Sequence, residues 1–272
     1  MDPDRALAAY DKQIRQDTRP PRPGWSIEVL DEPGPVLRMT TPPGFSWGNG
    51  IFWSGLDEGN ADAAIAAAVA HFAARGTGFE WKHHGYDTPG DLPQRLRAAG
   101  FVPDEEETLV VGEVVEVRAR LAGKPAPVDV TVRRLREDDD GRTADWASIG
   151  RLSEAVWGND PADHIRELAA EQENDPSSIS VWLAEAPDGT VVSAGWVRFH
   201  EGTEFASMWG GSTLAEWRGR GIYQALVARR ADEAADRGFR YLQVDCSLDS
   251  RPILERLGMQ ALTSTTPYQW RP

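Results

Sequence analysis

Four successive residues, Arg218-Gly-Arg-Gly221, carry the strongest chemical signal in the chain. Glycine lets a ligand come close to the backbone, and the two guanidinium groups attract an anion. The residues ahead of them, Phe205-Ala-Ser-Met-Trp-Gly-Gly-Ser-Thr213, read as a strand. Those behind read as a helix, with Ile222, Tyr223, Leu226, Val227, Ala231 and Ala234 on one side and Arg230 among them. Arg229, Asp232, Glu233 and Asp236 fall on the other side. No Ser, Thr, Asp or Asn caps this helix. Its unpaired N–H groups and positive dipole end stay open to an anion. Strand, Gly-Arg loop and helix together predict a cradle for a diphosphate.

Two other phosphate motifs fail on spacing. No Lys-Ser or Lys-Thr follows the glycines, and Gln224 stands where a dinucleotide fingerprint needs its third glycine. What remains, Arg218-x-x-Gly221-x-Tyr223 between strand and helix, resembles the acetyl-CoA signature of the GNAT superfamily of N-acetyltransferases. That signature is Gln or Arg, two residues, Gly, one residue, then Gly or Ala. Tyr223 departs from it at the last position. The resemblance implies acetyl-CoA as cosubstrate, with Gly211, Ser212 and Thr213 along the pantetheine arm. It implies Arg218, Gly219, Arg220, Gly221, Ile222 and Tyr223 at the diphosphate, and Ser250 where the family often has an Asn.

Acetyl transfer to an amine must hold the donor, remove a proton and stabilise charge on the carbonyl oxygen. The tyrosine that usually protonates the departing thiolate in this family is replaced by Leu254, so Tyr268 is the substitute acid. Glu204, Asp245 and His200 frame the expected cleft and are the base candidates. Trp196 and Trp209, on adjacent strands, are expected to line a pocket for a flat or cationic amine. Each also has a plainer reading: solvated or structural for the bases, packing for Tyr268, core for the tryptophans. Cys246 reads as a small buried apolar residue.

Composition narrows the function classes. The chain has 272 residues, 40% hydrophobic and 26% charged, as expected of a soluble protein with one large or two medium domains. A net charge of −14 argues against a nucleic-acid surface and weakly favours a cationic substrate. The lone cysteine rules out a disulfide framework and a cysteine-built metal site, and no metal is expected. No segment approaches a membrane span, and Met1-Asp-Pro-Asp-Arg lacks the apolar core of a signal peptide, so a cytoplasmic location is expected. The sequence does not set the oligomeric state. The competing readings are a silent acyl-CoA-binding or interaction module, and a protein or peptide N-acetyltransferase.

The chain divides at Ala122-Gly-Lys-Pro-Ala-Pro127, which lacks apolar periodicity and reads as a linker. Before it, a helix over 4–16, three strands, an alanine-rich helix from Asn60, a strand at Phe79–His84, a short helix at 92–98 and a strand over 107–118 are expected. After it come a strand, two helices, three strands joined in part by the Pro187-Asp-Gly189 turn, the cradle helix, a strand, a helix and a last strand. The halves share an order of helix, glycine, strand, helix and glycine. Arg75-Gly76 through Gly100-Phe101 parallels Arg237-Gly238 through Gly258-Met259. At the place of the cradle, the first half has Gly55-Leu-Asp-Glu-Gly-Asn60, whose acids would repel a diphosphate. The expected architecture is therefore α+β, two tandem GNAT folds with mostly antiparallel sheets. Residues 1–121 would be a degenerate, non-catalytic copy, 122–127 a linker and 128–272 the catalytic domain.

Overall fold

A computed structural model describes residues 1–19, 24–43, 45, 48–124, 127–158 and 160–272. The chain forms two compact units. The first comprises residues 2–110, 245–252 and 261–272; the second comprises Met1, 111–244 and 253–260. A single cut at 122–127 therefore does not separate them, and residues 125 and 126 of that expected linker lie outside the described residues. The physical reason lies in pairing. The last strand runs beside Phe79–His84 and joins the first unit, whereas 111–121 pack within the second.

The first unit begins with α1 (Pro3–Tyr10), which continues through a π turn, Asp11–Arg15. Strands β1 (Ser26–Leu30), β2 (Val36–Thr40) and β3 (Gly50–Ser54) form an antiparallel meander. Helix α2 (Ala61–Ala74) then crosses over to β4 (Phe79–His84), which pairs parallel to β3. Helix α3 (Leu92–Ala98), the short β5 (Val102–Pro103) and β6 (Glu107–Glu113) follow. The core is aromatic: Phe72 stacks on Phe79 at 4.3 Å, and Phe101 meets Phe79 edge-on. Arg15 is buried and bonds both oxygens of Asp87 at 2.9 and 3.0 Å, fixing the amino-terminal segment to this unit.

Residues 107–118 do not form one strand. Strand β6 ends at Glu113 and α4 (Val114–Leu121) takes over. Val114, Val117 and Leu121 are buried while Val115 is exposed, a helical period that overrides the β preference of the valines.

In the second unit, β7 (Thr131–Arg134) is followed by α5 (Asp139–Trp157) and α6 (Ala162–Asn174). Strands β8 (Ile179–Glu185), β9 (Val191–Phe199) and β10 (Phe205–Thr213) pair antiparallel with one another, and β7 pairs with β8. Helix α7 (Ile222–Asp236) crosses over to β11 (Tyr241–Cys246), which pairs parallel to β10. Helix α8 (Arg251–Arg256) and β12 (Gln260–Trp270) complete the chain. Helix α7 buries Ile222, Leu226, Val227, Ala231 and Ala234, and each of the larger apolar side chains contributes roughly 1.5–3 kcal/mol. Helix α5 is tied to the sheet edge by charge. The buried Asp145 accepts from Arg133 at 2.7 and 2.8 Å and from the Arg136 backbone at 2.9 Å. Burial would raise the Asp145 carboxyl, yet the hydrogen bonds from Arg133 hold it below the usual carboxylate range.

Candidate active site

The site starts from a defect in β10. Its pairing with β9 is regular to Gly210↔Gly195, then resumes at Ser212↔Ala194, so Gly211 is the extra residue of a bulge. Gly210 and Gly211 have φ of 70° and 91°. A Cβ on Gly210 would lie 2.5 Å from the Trp196 ring, and one on Gly211 would lie 2.8 Å from the Tyr223 ring. Only glycine fits either place. On its other edge, β10 pairs with β11 from Phe205↔Tyr241 to Ser207↔Gln243 and no further. From Met208 to Thr213, about 20 Å of strand at ~3.3 Å per residue, that edge is splayed away from its neighbour.

At the end of this open edge stands the Gly-Arg loop. Gly219 and Gly221 take φ of 76° and 79°, and Gly221 caps α7 with no side-chain hydrogen bond. The first N–H groups of α7 have no acceptor within the helix. Arg218 and Arg220 are exposed beside them. Arg218 Nε donates to the Thr213 carbonyl at 3.1 Å, and the Arg220 guanidinium lies 4.6 Å from the Trp217 ring. Beneath the bulge lies Arg230, 1% exposed. It donates to the carbonyls of Trp196 (3.4 Å), Trp209 (3.3 Å) and Leu226 (3.1 Å). Among the described residues no carboxylate pairs with it, and burial pulls its pKa below the ordinary value.

Where the splay begins, a polar chain crosses the strands. Gln243 Nε2 donates to Ser207 Oγ at 2.5 Å, and Ser207 Oγ lies 2.5 Å from His200 Nε2. With Gln243 as donor to it, the Ser207 hydroxyl keeps its own proton, which His200 Nε2 accepts in the Nδ1-protonated tautomer. Ser207 and Gln243 are buried. A cavity of about 270 Å³ opens against the bulge, walled by Ile149, Leu152, Trp157, Ile165, Trp196 and Gly210. Trp157 Nε1 donates to Ser212 Oγ at 2.9 Å, joining the end of α5 to β10.

The second unit therefore brings together Gly211, Ser212, Thr213, Arg218, Gly219, Arg220, Gly221, Ile222, Tyr223, Trp196 and His200. Trp209 is 47% exposed, with the Arg198 guanidinium 4.8 Å from its ring, and does not wall the cavity. Glu204 precedes β10 and pairs with Arg240 at 3.3 Å. That is about 20 Å of strand from Gly210, too far for a base at the bulge. Three candidates fall in the first unit. Asp245 is a counterion of Lys82 at 3.3 Å. Ser250 bonds Ser247 at 3.2 Å rather than capping α8. Tyr268 is 3% exposed, packed in the aromatic core opposite Trp81. Within the first unit Tyr268 is thus held by packing and Asp245 by charge pairing. Asp160, Ser207 and Gln243 escaped the sequence reading, because only strand register and the α5–α6 turn bring them to the site.

Comparison with known proteins agrees with this geometry. Residues 146–259 match the profile of the Acetyltransferase (GNAT) family. No curated protein matches the sequence. A GCN5-related N-acetyltransferase from Kribbella flavida is 16% identical, with TM-score 0.65, over 98% of this chain and 95% of its own. A conserved protein of unknown function from Staphylococcus epidermidis ATCC 12228 is 13% identical, with TM-score 0.65, over 90% and 94%. A tandem GNAT protein from the clavulanic acid biosynthesis pathway is 11% identical, with TM-score 0.60, over 93% and 85%. These likenesses establish the fold: tandem GNAT folds of mixed, mostly antiparallel sheet flanked by helices.

Proposed function

We propose that this protein moves the acetyl group of acetyl-CoA directly to the primary amine of a small molecule, a reading supported by the match of residues 146–259 to the Acetyltransferase (GNAT) family profile. One observation carries the reading. Within a single unit, an open strand edge leads to a helix start that has no capping side chain. The N–H groups from Gly219 to Tyr223 would take the diphosphate, and the edge from Met208 to Thr213 the pantetheine arm. The thioester then reaches toward Ser207 and Gln243. An amine enters from the cavity beside Gly210. The ammonium first gives a proton to solvent; the free amine nitrogen then bonds to the acyl carbon, the carbon–sulfur bond breaks with its electron pair on sulfur, and the nitrogen gives up a second proton. Ser207 can pass that proton to His200 Nε2, while the thiolate takes one from solvent, so charge and protons balance.

The donor site is tested at Gly221. A Cβ there meets nothing within 4 Å, so a side chain fits sterically. Gly221→Asp puts a carboxylate where the diphosphate should sit. We expect acetyl-CoA binding to weaken at least about tenfold, roughly 1.4 kcal/mol, with the fold retained. Arg218→Ala should weaken it less, because the guanidinium is exposed to screening solvent. Calorimetric titration measures both, and parent-like binding by a folded Gly221→Asp protein would refute the donor site. Tyr223 motivates a second reading, an acyl-CoA-binding protein without turnover, because its ring lies against Gly211 at the edge expected to meet the pantetheine. A thiol-release assay over a panel of amines separates the two.

A further inference from the structure

The cavity beside the bulge limits the kind of amine that fits. Its walls come from α5, α6, β9 and β10 of the second unit, all on the side of the sheet against which α5 packs. The buried part of the lining is apolar, Ile149, Leu152, Ala194 and Trp196, with Ser153 and Ser212 also on the wall. Trp196 is 9% exposed, and its benzo edge rests on Gly210, directly beside the bulge. Trp157 closes one flank, held to Ser212 by its indole N–H. Polarity gathers at the α5–α6 turn, where the Asp160 carboxylate lines the cavity and accepts from the Ala162 N–H at 2.9 Å. That bond occupies only part of the carboxylate's acceptor capacity. His164 adds a second aromatic wall, 6.0 Å from Trp196 between ring centroids.

A volume of about 270 Å³ holds a compact body. Apolar walls discriminate weakly by size but strongly against hydroxyl groups they leave without partners. Two indoles and one carboxylate in the lining attract an ammonium group. We infer that the acceptor is a small primary amine on a compact apolar body, an arylalkyl or alicyclic amine, whose ammonium is read by Asp160 against Trp157 and Trp196. The inference rests on the acetyltransferase reading, because it assigns the acceptor of that site. It disfavours polyhydroxylated amino sugars and extended polyamines.

The test uses the full chain and acetyl-CoA, with calorimetry on acetyl-CoA alone as a separate arm. Thiol release is followed with 2-phenylethylamine, cyclohexylmethylamine, glucosamine and spermidine. We expect kcat/KM for the first two to exceed that for the others by at least tenfold. 2-Phenylethanol, lacking the charge, should inhibit at least tenfold more weakly than the unreactive quaternary analogue phenylethyltrimethylammonium. Asp160→Asn, on an exposed turn, should lower kcat/KM for 2-phenylethylamine at least fivefold with acetyl-CoA binding unchanged. Trp157→Ala should do the same to kcat/KM, and Trp157→Phe should restore most of it. A preference for glucosamine or spermidine, an unchanged kcat/KM for 2-phenylethylamine in both the Asn and Ala variants, or no turnover of either apolar amine while acetyl-CoA binds would overturn the acceptor class and leave the donor site standing. Failure of acetyl-CoA to bind would overturn the acetyltransferase reading itself.

Discussion

His200 and Glu204 show how pairing decides what a residue can do. Both end a strand or turn in the same hairpin, and sequence alone gives them equal standing as bases. Strand register then separates them: His200 turns onto Ser207, at the last paired position of β10 and β11, while Glu204 turns onto Arg240. A proton route through Ser207 and His200 has a measurable consequence. A positioned acid or base is worth about 10²–10⁴ in rate, and a histidine reached through a serine should give the lower part of that range. His200→Gln should therefore reduce kcat at least about tenfold and leave the acetyl-CoA dissociation constant unchanged. Stopped assays and calorimetry on one preparation would show it, and an unaltered kcat would remove the route. Glycines 219 and 221 were legible because loop chemistry is local and glycine has few other reasons to alternate with arginine. Arg230 was legible only as an oddity on an apolar helix face. Its purpose needs the third dimension, where it spans the carbonyls of Trp196 and Trp209 beside the bulge.

Elements are where the sequence was read most accurately. Strand β4 spans the expected Phe79–His84, and α6 and α7 begin where their apolar periods begin. A misreading arose where residue preference and period conflict, as at Val114–Val117, whereas β10 spans the expected Phe205–Thr213. The amino-terminal segment shows tertiary control of an element. Its α1 ends in a π turn that delivers Arg15 to Asp87, and Tyr10 meets His84 Nε2 at 3.4 Å. Burial first, then Arg15 and Lys82, pull the His84 pKa from its ordinary value to about 2. The sign follows. Below the unfolded value near 6.5, the unfolded chain takes up a proton that the folded state refuses, so stability falls as the solution is acidified. Between pH 7 and pH 5 this one group should remove about 2 kcal/mol. Denaturant midpoints of the parent should drop accordingly, and His84→Gln should flatten the drop by that amount. A parallel decline in both proteins would show that His84 is not the group responsible.

For the whole molecule, the decisive comparison is between the two copies of the fold. Each has an antiparallel three-strand meander, a crossover helix and a parallel fourth strand: β1–β2–β3, α2 and β4 in one, β8–β9–β10, α7 and β11 in the other. The repeat was legible through its glycines, Gly76 and Gly100 against Gly238 and Gly258, all at positive φ after helices. The interleaved boundaries were not legible, because strand exchange leaves local propensity untouched. The copies diverge at the loop before the crossover helix. In the second unit Gly221, which has no side chain, stands at the N-cap of α7, and the loop ahead of it carries Arg218 and Arg220. In the first, the Asp57 carboxylate accepts from the N–H groups of Gly59 at 2.8 Å and Asn60 at 3.1 Å, and Asn60 Oδ1 accepts from Asp57 N–H at 2.8 Å. An internal anion thus occupies two loop donors just ahead of α2, and a second negative group there would meet like-charge repulsion. Calorimetric titration of acetyl-CoA should therefore give one site per chain. Removing the internal anion with Asp57→Asn should not create a second site, because the loop still lacks arginine and carries Glu58. Two sites in the parent chain would show that the first copy binds the donor despite Asp57, and the division of labour between the copies would have to be abandoned.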